Sequence, residues 1–169
     1  MGLVTGRLQL DDEQPAFPMI RYREATVDDV LDLERMRNAD AEWPADPRMA
    51  RYLRGEHHPQ KALDLRVMYL AEDSERMLGY IGGHLTERLD CDGELQYLYV
   101  TPEHRRTGVA SQMFRLLIQW FDGQGASRIC VDVEPDNHGA RGFYRRNGAT
   151  DLDSHWLVWS GLDLHDQPL

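Results

Sequence analysis

The chain is predicted to fold as a single α/β domain on a mixed sheet of about six strands, because its apolar residues repeat at every second position in some stretches and at helical spacing in others. Two observations give the layout. Three period-two runs, 66–73, 77–89 and 93–100, follow one another with only the turns "DSER" and "DCDG" between them, the length of antiparallel hairpin connections. After them, two helical patterns alternate with strand patterns, and strand–helix–strand units imply parallel pairing there. At 169 residues one domain suffices, and a chain of that size buries roughly 70% of the surface its unfolded state exposes, enough for a core without disulfides.

Each element has its own signal. Residues 1–18, with "DDEQP" and two prolines, read as a loose leader, so the domain is expected over 19–162 with a tail at 163–169. "MIRYREAT" (19–26) alternates as a strand; Thr26, Asp28 and Asp29 then supply a cap and an acidic first turn for a helix to about residue 38. Three prolines and Gly55 bound a short helix at Met49–Leu53. From Gly108, Ala110, Met113, Phe114, Leu117 and Phe121 recur at helical spacing with Val109, Leu116 and Trp120 beside them, so this helix is expected to be buried on most sides. It stops at "DGQG". Residues 127–135 form a buried strand, 137–148 a short helix closed by Gly148, and 155–162 a last strand. The order is β α α β β β α β α β.

Composition narrows the function. With 29 acidic against 19 basic side chains and a formal net charge of -10, neither nucleic acid nor an anionic membrane is expected as the main partner, and a cationic ligand is mildly favoured. The acidic balance also serves solubility alone. Cys91 and Cys130 lie far apart in the sequence, in an acidic turn and in an apolar strand, and read as reduced thiols rather than a redox pair or metal ligands. No apolar stretch is long enough for a signal sequence or a membrane span, so a cytoplasmic location is expected.

Against that acidic balance, "TPEHRRTGVAS" (101–111) stands out. A helix N-terminus carries unpaired N–H groups and partial positive charge and usually attracts Asp or Glu, yet no carboxylate occurs from His104 to Phe121. Arg105, Arg106 and Thr107 precede the helix instead, and Gly108 lets the backbone approach a ligand; together they form an anion site suited to phosphate. The plain alternative is a loop whose arginines are solvated. The segment lacks the Lys-Ser/Thr of a P-loop and the three glycines of a dinucleotide fingerprint.

"RRTGVA", Arg105 to Ala110, resembles the Q/R-x-x-G-x-G/A pyrophosphate motif of the GCN5-related N-acetyltransferases, with Arg first and Ala last. "NHGARGFYRRNGA" is similar to that family's N-x-x-A-x-x-F-Y-x-x-x-G segment at Asn137, Ala140, Phe143, Tyr144 and Gly148. Each pattern is short, but their order, spacing and place among the elements make the joint match specific.

The resemblance implies the family's acyl-CoA N-acyltransferase fold and acetyl-CoA as cosubstrate. Acetyl-CoA would lie between two splayed parallel strands, here 94–100 and 128–134, with its pyrophosphate on the amides of Arg106, Thr107, Gly108, Val109 and Ala110 and with Arg105 and Ser111 at the same site. The pantetheine arm would pair with backbone groups of Leu98 and Val100, and Asn137 would hold it near the thiol. The reaction implied is acetyl transfer to an amine, of a small molecule or of a protein, by direct attack in a ternary complex. An amine with a lysine-like pKa must first lose a proton. Glu94 is the candidate base, six residues before Val100; period two would aim it to the face of Leu98 and Val100 unless a bulge intervenes. Its other reading is a solvated carboxylate beside the "DCDG" turn. Tyr144 would give a proton to the departing thiolate, or else be a core aromatic. The Val100 amide would hold the tetrahedral oxyanion.

Other residues are weaker. His57 and His58 are adjacent, so their side chains point apart, and no second pair has metal-ligand spacing; no metal is expected. The family builds its acceptor pocket between the first two strands, so Trp43, His57 and His58 are substrate-contact candidates, with simple loop packing as the alternative. Trp156 and Trp159 read as packing, and the glycines of "YIGGHL" as a bulge or a close approach by ligand. A homodimer is left open. A non-catalytic acyl-CoA sensor is the competing function; Glu94 and Tyr144 separate the two.

Overall fold

The structure, a computed structural model, describes residues 19–39 and 47–161. The leader, the 163–169 tail and Trp43 lie outside the described residues. The strands are β1 (Arg21–Glu24), β2 (Ala62–Glu72), β3 (Met77–Thr86), β4 (Gly93–Val100), β5 (Arg128–Asp132), β6 (Thr150–Asp151) and β7 (Trp156–Ser160). The α-helices are α1 (Val30–Ala39), α2 (Arg48–Leu53), α3 (Val109–Gly123) and α4 (His138–Arg146). The strands form one sheet in the order β1-β2-β3-β4-β5-β7-β6. The mixed α/β class and its element order stand as expected, with one strand more.

Local chemistry explains the start of the domain. The Asp29 carboxylate accepts from the Thr26 N–H at 2.8 Å and from Arg23 at 2.7 Å, which ties the strand end, the helix entry and, through Glu72, strand β2 into one network. Hydrophobic packing then uses both faces of the sheet. On one, α3 packs its buried stripe of Val109, Met113, Phe114, Leu117, Ile118 and Phe121 onto Val67, Leu78, Ile81 and Leu95. On the other, Leu33 of α1 and Met49 and Tyr52 of α2 pack with Met68, Leu70 and Tyr80. Helix α3 is therefore buried along one stripe rather than on most sides, since Arg115, Gln119 and Asp122 face solvent.

The glycines of β3 and the start of β4 serve this packing. A Cβ on Gly83 would lie 2.8 Å from Phe121 Cζ and 2.9 Å from the Glu94 carbonyl oxygen, so the close approach is made by α3 and not by a ligand. The bulge does occur, on the partner strand: Gly82 pairs with Tyr97 and Gly83 with Leu95, leaving Gln96 as the extra residue in β4.

Parallel pairing holds for β4 and β5 but not around α4. β7 runs antiparallel to β5, because the chain leaving α4 first forms the two-residue edge strand β6 and then turns back as β7 between β6 and β5. "TD" is too short to show a period-two pattern, which hid the extra hairpin. Strand β5 also ends at Asp132, three residues early, just before Glu134 and Pro135. The two cysteines, distant in sequence, come together in one buried cluster; both are free, with the Cys91 thiol donating to the Leu89 carbonyl and the Cys130 thiol to the Gly93 carbonyl. Burial pushes the Cys130 thiol up, and Cys91 and Glu94 add to it.

Candidate functional site

β4 and β5 are pinned together at one end and part at the other. Only three pairs join them, Gly93–Ile129, Glu94–Cys130 and Leu95–Val131. At the closed end the Asp92 carboxylate accepts from the N–H groups of Ser127 and Arg128, both at 2.9 Å, and these amides hold its carboxyl below the usual carboxylate range. Past the Gln96 bulge, β4 has no strand partner on that side among the described residues. Thr101 donates to the Leu78 carbonyl at 2.9 Å, so in the alternating antiparallel ladder the backbone groups of Leu98 and Val100 face away from β3, into the gap.

That gap opens into a groove of about 1120 Å³ along the start of α3 and the flank of α4. Of the residues expected around acetyl-CoA, Leu98, Val100, Arg105, Arg106 and Gly108 line it, as do Ala110, Ser111, Asn137 and Tyr144. Thr107 and Val109 do not: the Thr107 hydroxyl donates to the His104 carbonyl, and the Val109 side chain is in the core. Gly108 sits at φ 89° in the left-handed region, and open space surrounds the position a Cβ would take. No acidic residue occupies the first turn of α3, and among the described residues no carboxylate lines the groove. Arg105 is tethered to the Val100 carbonyl at 2.9 Å, which keeps its guanidinium at the end of β4. Asn137 caps α4, its side chain accepting from the Ala140 N–H at 3.1 Å. Tyr144 packs edge-on to Trp159, and burial raises its phenol pKa, so the hydroxyl keeps its proton at neutral pH.

Glu94 is elsewhere. The bulge reverses the alternation, so Leu95 before it and Leu98 and Val100 after it all pack toward α3, while Glu94 points to the α1–α2 face with Tyr97 and Tyr99. The shared face expected for Glu94, Leu98 and Val100 is therefore wrong, and so is the solvated alternative, because Glu94 is only 3% exposed. One carboxylate oxygen lies 3.4 Å from Arg88 and the other 3.5 Å from Nε2 of His84, itself 0% exposed. The Tyr52 hydroxyl contacts His84 Nδ1 at 3.1 Å. Arg88 is in turn held by Gln60 at 2.7 Å and stacks 4.7 Å from the Trp156 ring centroid.

His57 and His58 meet neither the groove nor Glu94. Arg66 donates to the His57 carbonyl and contacts His58 Nδ1, both at 2.8 Å, so the pair anchors the chain after α2. Among the described residues no three His, Cys, Asp or Glu side chains group as metal ligands, and no helix is long and apolar enough to cross a membrane. Trp159 is core, as expected, with its indole N–H donating to the Asn147 carbonyl. Sequence reasoning missed Arg146, His104, Gly139 and Asn147 on the groove wall, although helical spacing from Tyr144 would have found Asn147. It also missed Tyr52, His84 and Arg88, which only the β3–β4 register brings to Glu94.

A helix N-terminus with no carboxylate in its first turn thus opens on the gap between two diverging parallel strands. Residues 30–149 match the Acetyltransferase (GNAT) family, and the chain belongs to that family. It is 28% identical over 103 residues to human N-acetyltransferase 8, a match covering 56% of this chain and 43% of that protein. The chain spans less than half the length of the curated relatives it matches. Its fold is similar to Ard1 from Thermoplasma volcanium (TM-score 0.66, 17% identity, 85% of this chain and 99% of that one). It is also similar to the PaiA N-acetyltransferase from Thermoplasma acidophilum in complex with coenzyme A (TM-score 0.62, 16% identity, 84% and 99%).

Proposed function

We propose that the chain is an acetyl-CoA-dependent N-acetyltransferase that moves the acetyl group to an amine of a small molecule or of a protein. The observation that carries the reading is the groove: in a chain of net charge -10, Arg105, Arg106 and Arg146 line it and, among the described residues, no carboxylate does. Such a cavity selects a polyanionic ligand. Coenzyme A, bound by the PaiA relative, has that charge.

In this reading the amides of 106–110 hold the pyrophosphate; the Thr107 and Val109 side chains, turned elsewhere, leave theirs available. The arm pairs with Leu98 and Val100 in the gap, with Asn137 beside it. The acceptor enters from the α1–α2 face, where Glu94 takes its proton through water, since the carboxylate is buried behind the bulge. Nitrogen attacks the thioester carbonyl, the Val100 amide stabilises the oxyanion, the C–S bond breaks, and the Tyr144 hydroxyl protonates the leaving thiolate. Holding amine and thioester together supplies much of the rate.

A thiol-release screen of acetyl-CoA against small amines and basic peptides, preceded by thermal shift, tests this. Ligand at 100 times its Kd should stabilise the fold by about 2.7 kcal/mol. No shift with acetyl-CoA or any longer acyl-CoA sinks the reading; a shift without thiol release on any amine reduces it to binding.

A further inference from the structure

We infer that His84 is a positioning residue for the reaction: its Nε2–H aims the Glu94 carboxylate at the acceptor's proton, and Tyr52 fixes the ring tautomer that makes this possible. The inference rests on the reading of Glu94 as the base and extends it to two residues on other elements.

Two observations carry it. His84 Nε2 and Glu94 Oε2 are both buried polar atoms without a hydrogen-bond partner, and they face each other across 3.5 Å. Buried polar groups are nearly always satisfied, and catalytic contacts are commonly long before substrate arrives, so a pair this close is set to tighten. On the far side of the ring, the Tyr52 hydroxyl lies 3.1 Å from Nδ1. Burial raises the Tyr52 pKa, so the phenol stays protonated and has Nδ1 as its acceptor. That leaves the imidazole proton on Nε2, pointing at Glu94. A base held by a second group, itself held by a third, is the geometry of an oriented catalytic dyad.

The charge balance is simple. Glu94 accepts one proton as the ammonium becomes a nucleophilic amine, the new C–N bond replaces the C–S bond, the second nitrogen proton lost on collapse makes good the one that Tyr144 gives to the thiolate, and His84 keeps its proton throughout. Arg88 faces the other oxygen of Glu94 from the turn after β3, and the Cys130 thiol of β5 lies close enough to feel the charges of both Glu94 and Arg88. Tyr52 is flanked by Arg66, 4.8 Å from its ring centroid, and by Tyr97. All of these stay in place in the variants below.

The test compares kcat, KM for acetyl-CoA and the pH profile of kcat/KM on the amine found by the screen. Glu94→Gln should cut kcat by about 100-fold. His84→Phe should cut it by about tenfold or more with KM for acetyl-CoA within about twofold, and should move the acidic limb of kcat/KM up by about one pH unit, because the carboxylate loses a donor. His84→Gln, which can present an N–H near Nε2, should recover most of the rate and the original limb. Tyr52→Phe should give an intermediate loss and a displaced limb. If Glu94→Gln is impaired and His84→Phe is not, the inference fails while Glu94 stands as base. If Glu94→Gln is itself active, both fail. Equal losses in His84→Phe and His84→Gln with no movement of the limb mark His84 as structural and overturn the inference. Should His84→Phe not fold, an undisplaced limb in Tyr52→Phe and His84→Gln overturns it equally.

Discussion

Tyr144, the proposed acid, belongs to the core and to the groove wall together. Its ring is fixed by Phe143 and Trp159, while the residue lines the groove beside Ala140 and Asn147. Tyr144→Phe keeps the ring and removes the acid, so kcat should fall by about tenfold or more with little change in melting temperature or in KM for acetyl-CoA; stopped assays with purified variants check this. Arg146 is the complementary case, an exposed cation on the groove wall. Arg146→Ala should raise KM for acetyl-CoA about tenfold and leave kcat nearly unchanged, which separates binding from chemistry. Tyr144 was legible in the sequence because it lies inside a family-like segment. Arg146 lies in the same segment, but a lone arginine beside another carries no mark of its direction until α4 is built.

Among the elements, the fork between β4 and β5 depends on its closed end. Asp92 receives two backbone N–H groups there, and its folded pKa is depressed, so its contribution is present above its unfolded pKa of about 4 and is lost as pH falls through the folded value. Asp92→Ala should cost about 1 kcal/mol at neutral pH, roughly 2–4 °C in Tm, and the gap from the parent protein should shrink in acid; melting curves at several pH values check both. Gly83 guards the other side of β4. Gly83→Ala drives a methyl into Phe121 and the Glu94 carbonyl and should destabilise by about 1–3 kcal/mol in denaturant unfolding. Strand β4 matched its predicted bounds because both turns flanking it were visible as turn chemistry. Its bulge was not, since Gln96 looks like any other strand residue and only pairing with Gly82 and Gly83 exposes it. The same lack of register hid the neighbours of Glu94, and a two-residue strand such as β6 has no period to read.

For the whole molecule, the sign of charge is divided by place: in an acidic chain, the described residues that line the groove include three arginines and no carboxylate. Raising ionic strength tenfold should weaken acetyl-CoA binding while leaving kcat largely unaffected, as titration calorimetry at two salt levels and saturation kinetics would show. That division could be read from the sequence, because the carboxylate-free run from His104 to Phe121 is long enough to stand out. The inserted Gln96 has a wider consequence. One additional residue makes a single strand behave as two half-strands facing in contrary directions, so the sheet becomes a partition with Leu98 and Val100 on one side and Glu94 on the other; under the proposed function these are the sides of the acyl donor and of the proton acceptor. On that reading the reactants meet in the slot where β4 and β5 part, and removing Gln96 should turn Glu94 to the face of Leu98 and Val100.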